Sequence, residues 1–524
     1  MNKILLFFSM LLLTIIFPFT LNADPNVIVY SNPVNSGEGN PHLYNPNRIF
    51  GQQMIYDTLV YYGKGGVIEP CLAESWEISP DGLEYTFKLR PGVKFSDGEP
   101  FNADAVVKNF DTIMKNRERH SWQEVTNKIE KWEAVDDMTF KLTLNEAYAP
   151  TLNDLSAFRP YRFLSPKAFP DSGFTADGIK APIGTGPWKL TEIVPNERDT
   201  YERNDLYWGE KPSSEKVIIK VIPDALTRAI ALETDQIDLI YGAGQIGYDE
   251  FDRFSKDPRY VTKVSPTMNT LTLALNTGKE PTNDKAVRLA LNYVINRDEI
   301  IQGLFMGHQD PAYTYCAPTF PGCDIGLKPY PFDLDLAAKT LDEAGWVLPA
   351  GGTVREKDGK KLEISFNFVG TNASDKSLAE AFQAQASKAG ISIILHPDEA
   401  DMYMTHTREG NFNIVTRETW GPPLEPIAAL SGMRRPTDID YHAQAGLADK
   451  AKIDEMIGKM LASVDANERN DYIKQVFTII HDEAVYVPVH TISLLAAYKA
   501  GVFEDFEFGQ DRNFIPFNKM KKLK

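Results

Sequence analysis

The sequence predicts an α/β protein built as two large lobes or about three smaller units. Three observations carry that expectation. A chain of 524 residues holds about three average domains. Its 43% hydrophobic and 24% charged residues are the values of a globular chain that buries a core, which excludes disorder for its bulk. Period-2 and period-3.6 hydrophobic patterns alternate along the chain to about residue 480, the order of an α/β fold rather than of segregated layers.

The chain opens with Met1-Asn2-Lys3, an uncharged apolar run from Ile4 to Phe19, and Thr20-Leu21-Asn22-Ala23 before Asp24. One positive charge, a short apolar stretch and a small residue at the end predict a secretory leader over residues 1–23, cleaved after Ala23. The run is short for a spanning helix, and nothing later is apolar enough to span a bilayer. An exported, periplasmic location is the expectation. Cys316 and Cys323 bracket the turn-forming Ala317-Pro318-Thr319-Phe320-Pro321-Gly322. They either close a small disulfide loop, as an oxidising compartment favours, or remain two thiols. Cys71, between Pro70 and Leu72, reads as a buried free thiol.

Asp81-Gly82 and Asp97-Gly98 are turn signals, and the alternating Tyr85, Phe87 and Leu89 between them predict a half-buried strand. Val106, Val107, Phe110, Ile113 and Met114 follow helical spacing over 102–115. A strand over 216–223, a helix over 225–234 and a strand over 237–241 follow, then a helix over 248–255 and a strand over 260–264 that ends at Ser265-Pro266. Residues 287–297 read as one amphipathic helix, and the lysines at 519, 521, 522 and 524 as a solvated tail.

The charge balance excludes one function class. A net charge of −17, with no basic run before the last few residues, argues against nucleic-acid binding. Enzyme motifs are equally sparse. Gly242-Ala243-Gly244-Gln245-Ile246-Gly247 fits the spacing of a dinucleotide loop. The next strand, however, ends in Ser-Pro where an acidic residue should meet the ribose. There is no HExxH, GxSxG or P-loop, no CxxC, and the eight histidines are scattered singly. No catalytic constellation is visible, so the expectation is a protein that is not an enzyme and carries no organic prosthetic group.

Several separated segments resemble one family. LAESWEISPDG with FKLRPGVKFSDGEP, GTGPW with NDLYWGEKP, and AVRLALNYVINRDEI occur in the order found in the extracytoplasmic solute-binding proteins of peptide and nickel ABC importers. Asn40 to Tyr44, Asn116 to Trp122, Arg159 to Phe163 and Thr419-Trp420-Gly421 are most similar to its nickel receptors. The resemblance implies a two-lobed periplasmic binding protein fold of type II with two hinge strands, Thr270–Asn276 and Val487–Leu495. Lobe I would span 24–268 plus the return segment 493–524, with an extra subdomain over about 68–189; lobe II would span 269–492. It implies a monomer that captures nickel(II) chelated by a small organic ligand such as free histidine and hands it to an importer's permease and ATPase.

By the same resemblance, Arg119 and Arg159 clamp the chelator's carboxylates, for which a bidentate guanidinium fork is suited. Trp122 and Trp420 wall the pocket and Tyr44 lines it. The pattern departs at three places: Asp438 stands where those receptors place a coordinating histidine, Leu424 replaces a tyrosine and Ile49 a methionine. Imidazole suits nickel better than a carboxylate does, which leaves His442, His490 and His42 as candidate metal ligands. A dipeptide, oligopeptide or haem receptor on the same fold is the alternative.

Overall fold

The computed structural model describes residues 24–157 and 159–523; the expected leader over 1–23 lies outside them. One ten-stranded mixed sheet organises the chain. Its order is Ser392–Asp398, Glu363–Val369, Ile414–Glu418, Tyr260–Leu275, Tyr486–Lys499, Leu239–Gly242, Val27–Asn32, Lys216–Val221, Arg198–Arg203 and Trp188–Val194. The two long central strands are antiparallel to each other and carry one wing of the sheet on each side.

The first long strand continues past Ser265-Pro266, where the sequence suggested a stop. Val264 pairs with Leu495, Thr267 with Ser493 and Asn269 with Ile492, so the ladder slips twice over these few residues. Pro266 sits in that irregularity, where its missing N–H costs no ladder bond. The strands thus bend between the wings without separating.

Each wing has its own core. Leu273, Leu291, Phe366 and Phe382 belong to one, and Tyr30, Trp188, Tyr201 and Phe517 to the other. A separate four-stranded sheet, in the order Ala73–Ile78, Glu84–Leu89, Thr139–Leu144 and Ile129–Asp136, carries the helix Ala103–Lys115. Asn102 starts that helix by accepting the Ala105 N–H on its side chain. Phe110 then packs on Phe140 with ring centroids 5.0 Å apart, and burying such a ring contributes about 1.5–3 kcal/mol. This core continues without a break into Tyr315, Phe477 and Tyr486 near the other wing.

Two further expectations change. Residues 287–297 are not one helix: Lys285–Val294 ends, and Asn296 caps a new helix, Arg297–Phe305, by accepting the Glu299 N–H. The terminal lysines are not simply a solvated tail. Lys522 is buried and donates to Asp238 Oδ2 (2.8 Å) and the Val27 carbonyl (2.7 Å), because Phe517 and Met520 draw this segment onto the core. Cys316 and Cys323 are bonded, and burial pushes the free Cys71 thiol up to about 12. Among the described residues no helix is long and apolar enough to cross a membrane.

Candidate functional site: an aromatic and arginine cluster between the wings

Four segments converge beside the central strands. The short helix Arg117–His120 carries Arg119 and His120, and the turn after it delivers Trp122. Tyr44 precedes the 3-10 helix Pro46–Gly51, Arg159 follows the helix Thr151–Ser156, and Trp420 follows the strand Ile414–Glu418 of the opposite wing.

Tyr44 is the hub. Its hydroxyl accepts the Trp122 indole N–H at 2.5 Å and lies 3.3 Å from His120 Nδ1, to which it can donate. Its carbonyl accepts from Arg119 Nη2 at 2.9 Å. The Arg159 guanidinium stands 4.7 Å from the Tyr44 ring and 4.8 Å from the Trp122 ring, and that of Arg119 5.4 Å from Tyr44. Guanidinium groups so placed over aromatic faces are held and partly desolvated. Burial accordingly lowers Arg159 from the ordinary arginine value, yet an arginine stays cationic at any physiological pH.

Trp420 faces Trp122 from the other wing, with centroids 6.1 Å apart. Both tryptophans pack on Ala157, Leu424 and Ala428. The loop that presents Trp420 is anchored at Glu425, whose buried carboxyl accepts from Thr419 Oγ1 (2.8 Å) and Gly421 N (2.9 Å). Thr419 N donates to the Thr270 carbonyl on the first long strand at 2.9 Å. Asn153 Nδ2 reaches the Pro423 carbonyl at 2.9 Å, so the two sides of the cleft already touch.

The five residues assigned to ligand binding therefore sit together, whereas the three candidate metal histidines do not join them. His42 is buried with both nitrogens engaged: Nε2 donates to the Arg162 carbonyl and Nδ1 faces Thr175 Oγ1, each at 3.0 Å. His442 turns away to donate to the Arg408 carbonyl at 2.9 Å. His490 packs on Phe305 with its ring tilted and hydrogen-bonds the Thr491 carbonyl. Asp438, at the position of the expected histidine, caps the helix Ile439–Gln444 and pairs with Arg417, which also carries Asp440. Among the described residues no group of three or more His, Cys, Asp or Glu side chains could hold a metal.

Two further residues belong to the cluster. His120 is fully buried against Tyr44, and burial, then Arg119, lowers it to about 4, so it is a neutral acceptor. The Arg435 guanidinium lies 5.7 Å from the Trp420 ring. Its place two residues after Met433 carries no periodic signal, whereas His120 is legible as a neighbour of the arginine clamp, from which the sequence reading points it away, and it turns instead onto Tyr44.

A sheet shared by two wings, with an arginine-lined aromatic cleft at their junction, is the architecture of a protein that closes over a small solute. The chain belongs to the bacterial extracellular solute-binding proteins, family 5, whose middle region matches residues 67–441. Proteins of this family bind small ligands for ABC importers and are not enzymes.

Over 96% of each chain it is 44% identical to the nickel-binding periplasmic protein of Escherichia coli K12. The crystal structure of NikA from Brucella suis in complex with Fe(III)-EDTA superposes with a TM-score of 0.93 at 47% identity, over 95% of this chain and 99% of that one. Heme-binding protein A of Haemophilus influenzae is 28% identical, over 83% of this chain and 81% of its own.

Proposed function

We propose that this protein captures nickel(II) in the periplasm as a complex with a small carboxylate-bearing chelator, such as free histidine, and delivers it as a monomer to the permease and ATPase of an inner-membrane ABC importer. The observation that carries this reading is the pairing of Arg119 and Arg159 over the faces of Tyr44 and Trp122 with Trp420 opposite. Two fixed guanidinium groups in a partly desolvated cleft match the carboxylates of a chelate. The apolar walls strengthen each charge-assisted contact by excluding water. A chelator that fills most of the coordination sphere is consistent with the placement of His42, His442 and His490 away from the cluster. Likeness to the nickel-binding relative and to the Fe(III)-EDTA complex supports a metal chelate over a peptide or haem. The Asp438 carboxylate is committed to Arg417 and its helix, which leaves it poorly placed to hold a peptide amine.

In this reading residues 24–268 with 493–524 form lobe I, including the subdomain at about 68–189, and 269–492 form lobe II. Thr270–Asn276 and Val487–Leu495 are the hinge strands, beside which the ladder slips at 264–269, and residues 1–23 are the cleaved leader. Calorimetric titration of the metal-free mature protein tests the function. Saturable heat is expected with nickel plus histidine, and little with nickel alone or with a dipeptide pool. Binding of the peptides only would overturn the nickel assignment.

A further inference from the structure

A cavity of about 430 Å³ opens at the mouth of the cleft, and both wings build it: Ser121, Glu124 and Lys128 on one side, Arg434 and Arg435 on the other. Ser121 directly precedes Trp122, so one wall continues the aromatic cluster. The opposite wall is the turn that follows the helix Ile427–Gly432. Met433 is fully buried there, Arg434 N donates to the Ser431 carbonyl at 3.1 Å, and Arg435 N donates to the Gly432 carbonyl at 3.0 Å. A Cβ on Gly432 would stand 3.4 Å from Trp420 Cζ2, so the same turn backs Trp420 and presents Arg435.

The three cations that line this cavity differ in what they already hold. Arg434 lies 3.9 Å from Glu124; Lys128 lies 3.4 Å from the same carboxylate and also pairs with Glu146. Arg435 makes no ion pair and no side-chain hydrogen bond among the described residues. Asp438 feels its charge, but that carboxyl is paired with Arg417 at 3.4 Å. The Arg435 guanidinium is half-buried and rests 5.7 Å from the Trp420 ring. Arg159 stands 4.8 Å from the Trp122 ring, so each of the two facing tryptophans carries a guanidinium, one from each wing. A planar fork held against an aromatic ring keeps its N–H edge for a carboxylate.

We propose that Arg435 is a specificity residue of the cleft: it takes a third carboxylate of the chelate, beyond the two held by Arg119 and Arg159, so that the protein prefers chelators bearing at least three carboxylates. This inference rests on the chelate reading above and adds the class of chelator. A carboxylate that coordinates the metal still offers its outer oxygen as an acceptor, and Arg435 offers a fork that no acidic side chain occupies. Lys128 and Arg434, which share Glu124, add positive field at the mouth but are already engaged. Because Arg435 belongs to the wing opposite Arg119 and Arg159, the third contact also favours the closed form.

The test compares two preformed one-to-one complexes, nickel nitrilotriacetate and nickel N-methyliminodiacetate, in which a carboxymethyl arm of the first is a methyl group in the second. Calorimetry with the metal-free mature protein should find the three-carboxylate complex bound about tenfold more tightly or better, the scale of one charge-assisted contact. Arg435→Gln should remove most of that preference. Arg435→Lys, which keeps the charge and loses the fork, should fall between. Arg434→Gln deletes a charge one residue away and should keep the native preference. A residue that only supported Trp420 would weaken both complexes alike. Equal affinities in the native protein, a preference that survives Arg435→Gln, or an equal loss of preference in Arg434→Gln overturns the proposal. If Arg435→Gln does not fold, Arg435→Lys and the native comparison still decide. Binding of nickel plus histidine but of neither aminopolycarboxylate complex overturns this inference alone, whereas binding of none of the three overturns the chelate reading with it.

Discussion

Arg159 is the residue on which the cleft's chemistry turns, because it is the more buried of the two guanidinium groups and stacks on two rings at once. A lysine would keep the charge but lose the fork and the stacking. Arg159→Lys should therefore weaken the nickel–histidine complex by about 1.5–3 kcal/mol, roughly ten- to hundredfold in Kd, which calorimetry would read directly. An affinity equal to that of the native protein would remove Arg159 from the site. His42 gives a second prediction at this scale. Burial, its largest influence, lowers it from 6.5 to about 3, so the native imidazole stays neutral while the unfolded one takes a proton. A depressed native value contributes stability that is complete above pH 6.5 and is lost as pH falls towards 3, up to about 4–5 kcal/mol in all. His42→Gln keeps a hydrogen-bonding side chain but cannot titrate. Urea midpoints at pH 7, 5 and 4 should show native and variant converging on the acid side, and a constant offset would mean that His42 is not held neutral. Arg119, Trp122, Arg159 and Trp420 were legible only through their resemblance to a known pattern. The burial of His42 was not legible, since Thr175 and the Arg162 carbonyl come from distant segments.

At the scale of elements, local chemistry was readable wherever it was self-contained. The helix Tyr248–Ser255 lies where its spacing put it, and the strand Glu84–Leu89 lies between its two turn signals. What failed depended on partners far away. The first long strand passes through Pro266 because the strand Tyr486–Lys499 supports it on both sides of the slip. Lys522 is buried because Asp238 and the Val27 carbonyl receive it. Gly421 shows how tightly the Trp420 loop is tied to that strand: its φ is +71°, and a Cβ there would stand 2.4 Å from the Met268 carbonyl oxygen. Gly421→Ala should cost about 1–2 kcal/mol for the left-handed backbone alone, and the backbone clash must also displace the adjacent tryptophan. Gly65 has the same φ with nothing within 4 Å of such a Cβ, so Gly65→Ala isolates the backbone cost. Thermal melting should find Gly421→Ala the less stable, and only that variant should bind the nickel complex more weakly. Equal effects at both glycines would show that contact with Met268 does not position the loop.

The whole molecule has to convert occupancy of the cleft into a shape that an importer can recognise. The direct contacts across the cleft are weak individually. The Trp122–Trp420 pair is worth about 0.5–1.5 kcal/mol beyond its burial. The partly exposed Arg434–Glu124 pair, at 3.9 Å, adds about 0–1 kcal/mol, and the Asn153–Pro423 hydrogen bond about 1 kcal/mol. The apolar core that runs from Phe110 and Phe140 into Tyr315, Phe477 and Tyr486 adds to these contacts, and the slipped ladder between Val264 and Asn269 is where the wings can bend without breaking the sheet. A solute touching Arg119 and Arg159 on one side and Trp420 on the other binds the closed form better, and can shift the balance only by that difference in affinity. Small-angle scattering should show the radius of gyration fall when nickel and histidine are added together. Trp420→Ala removes the opposing wall and should leave the protein more open both before and after the addition. A radius that is the same with and without the complex in the native protein would mean that the cleft binds without closing, and the slip at Val264 would then be a rigid bend rather than a hinge.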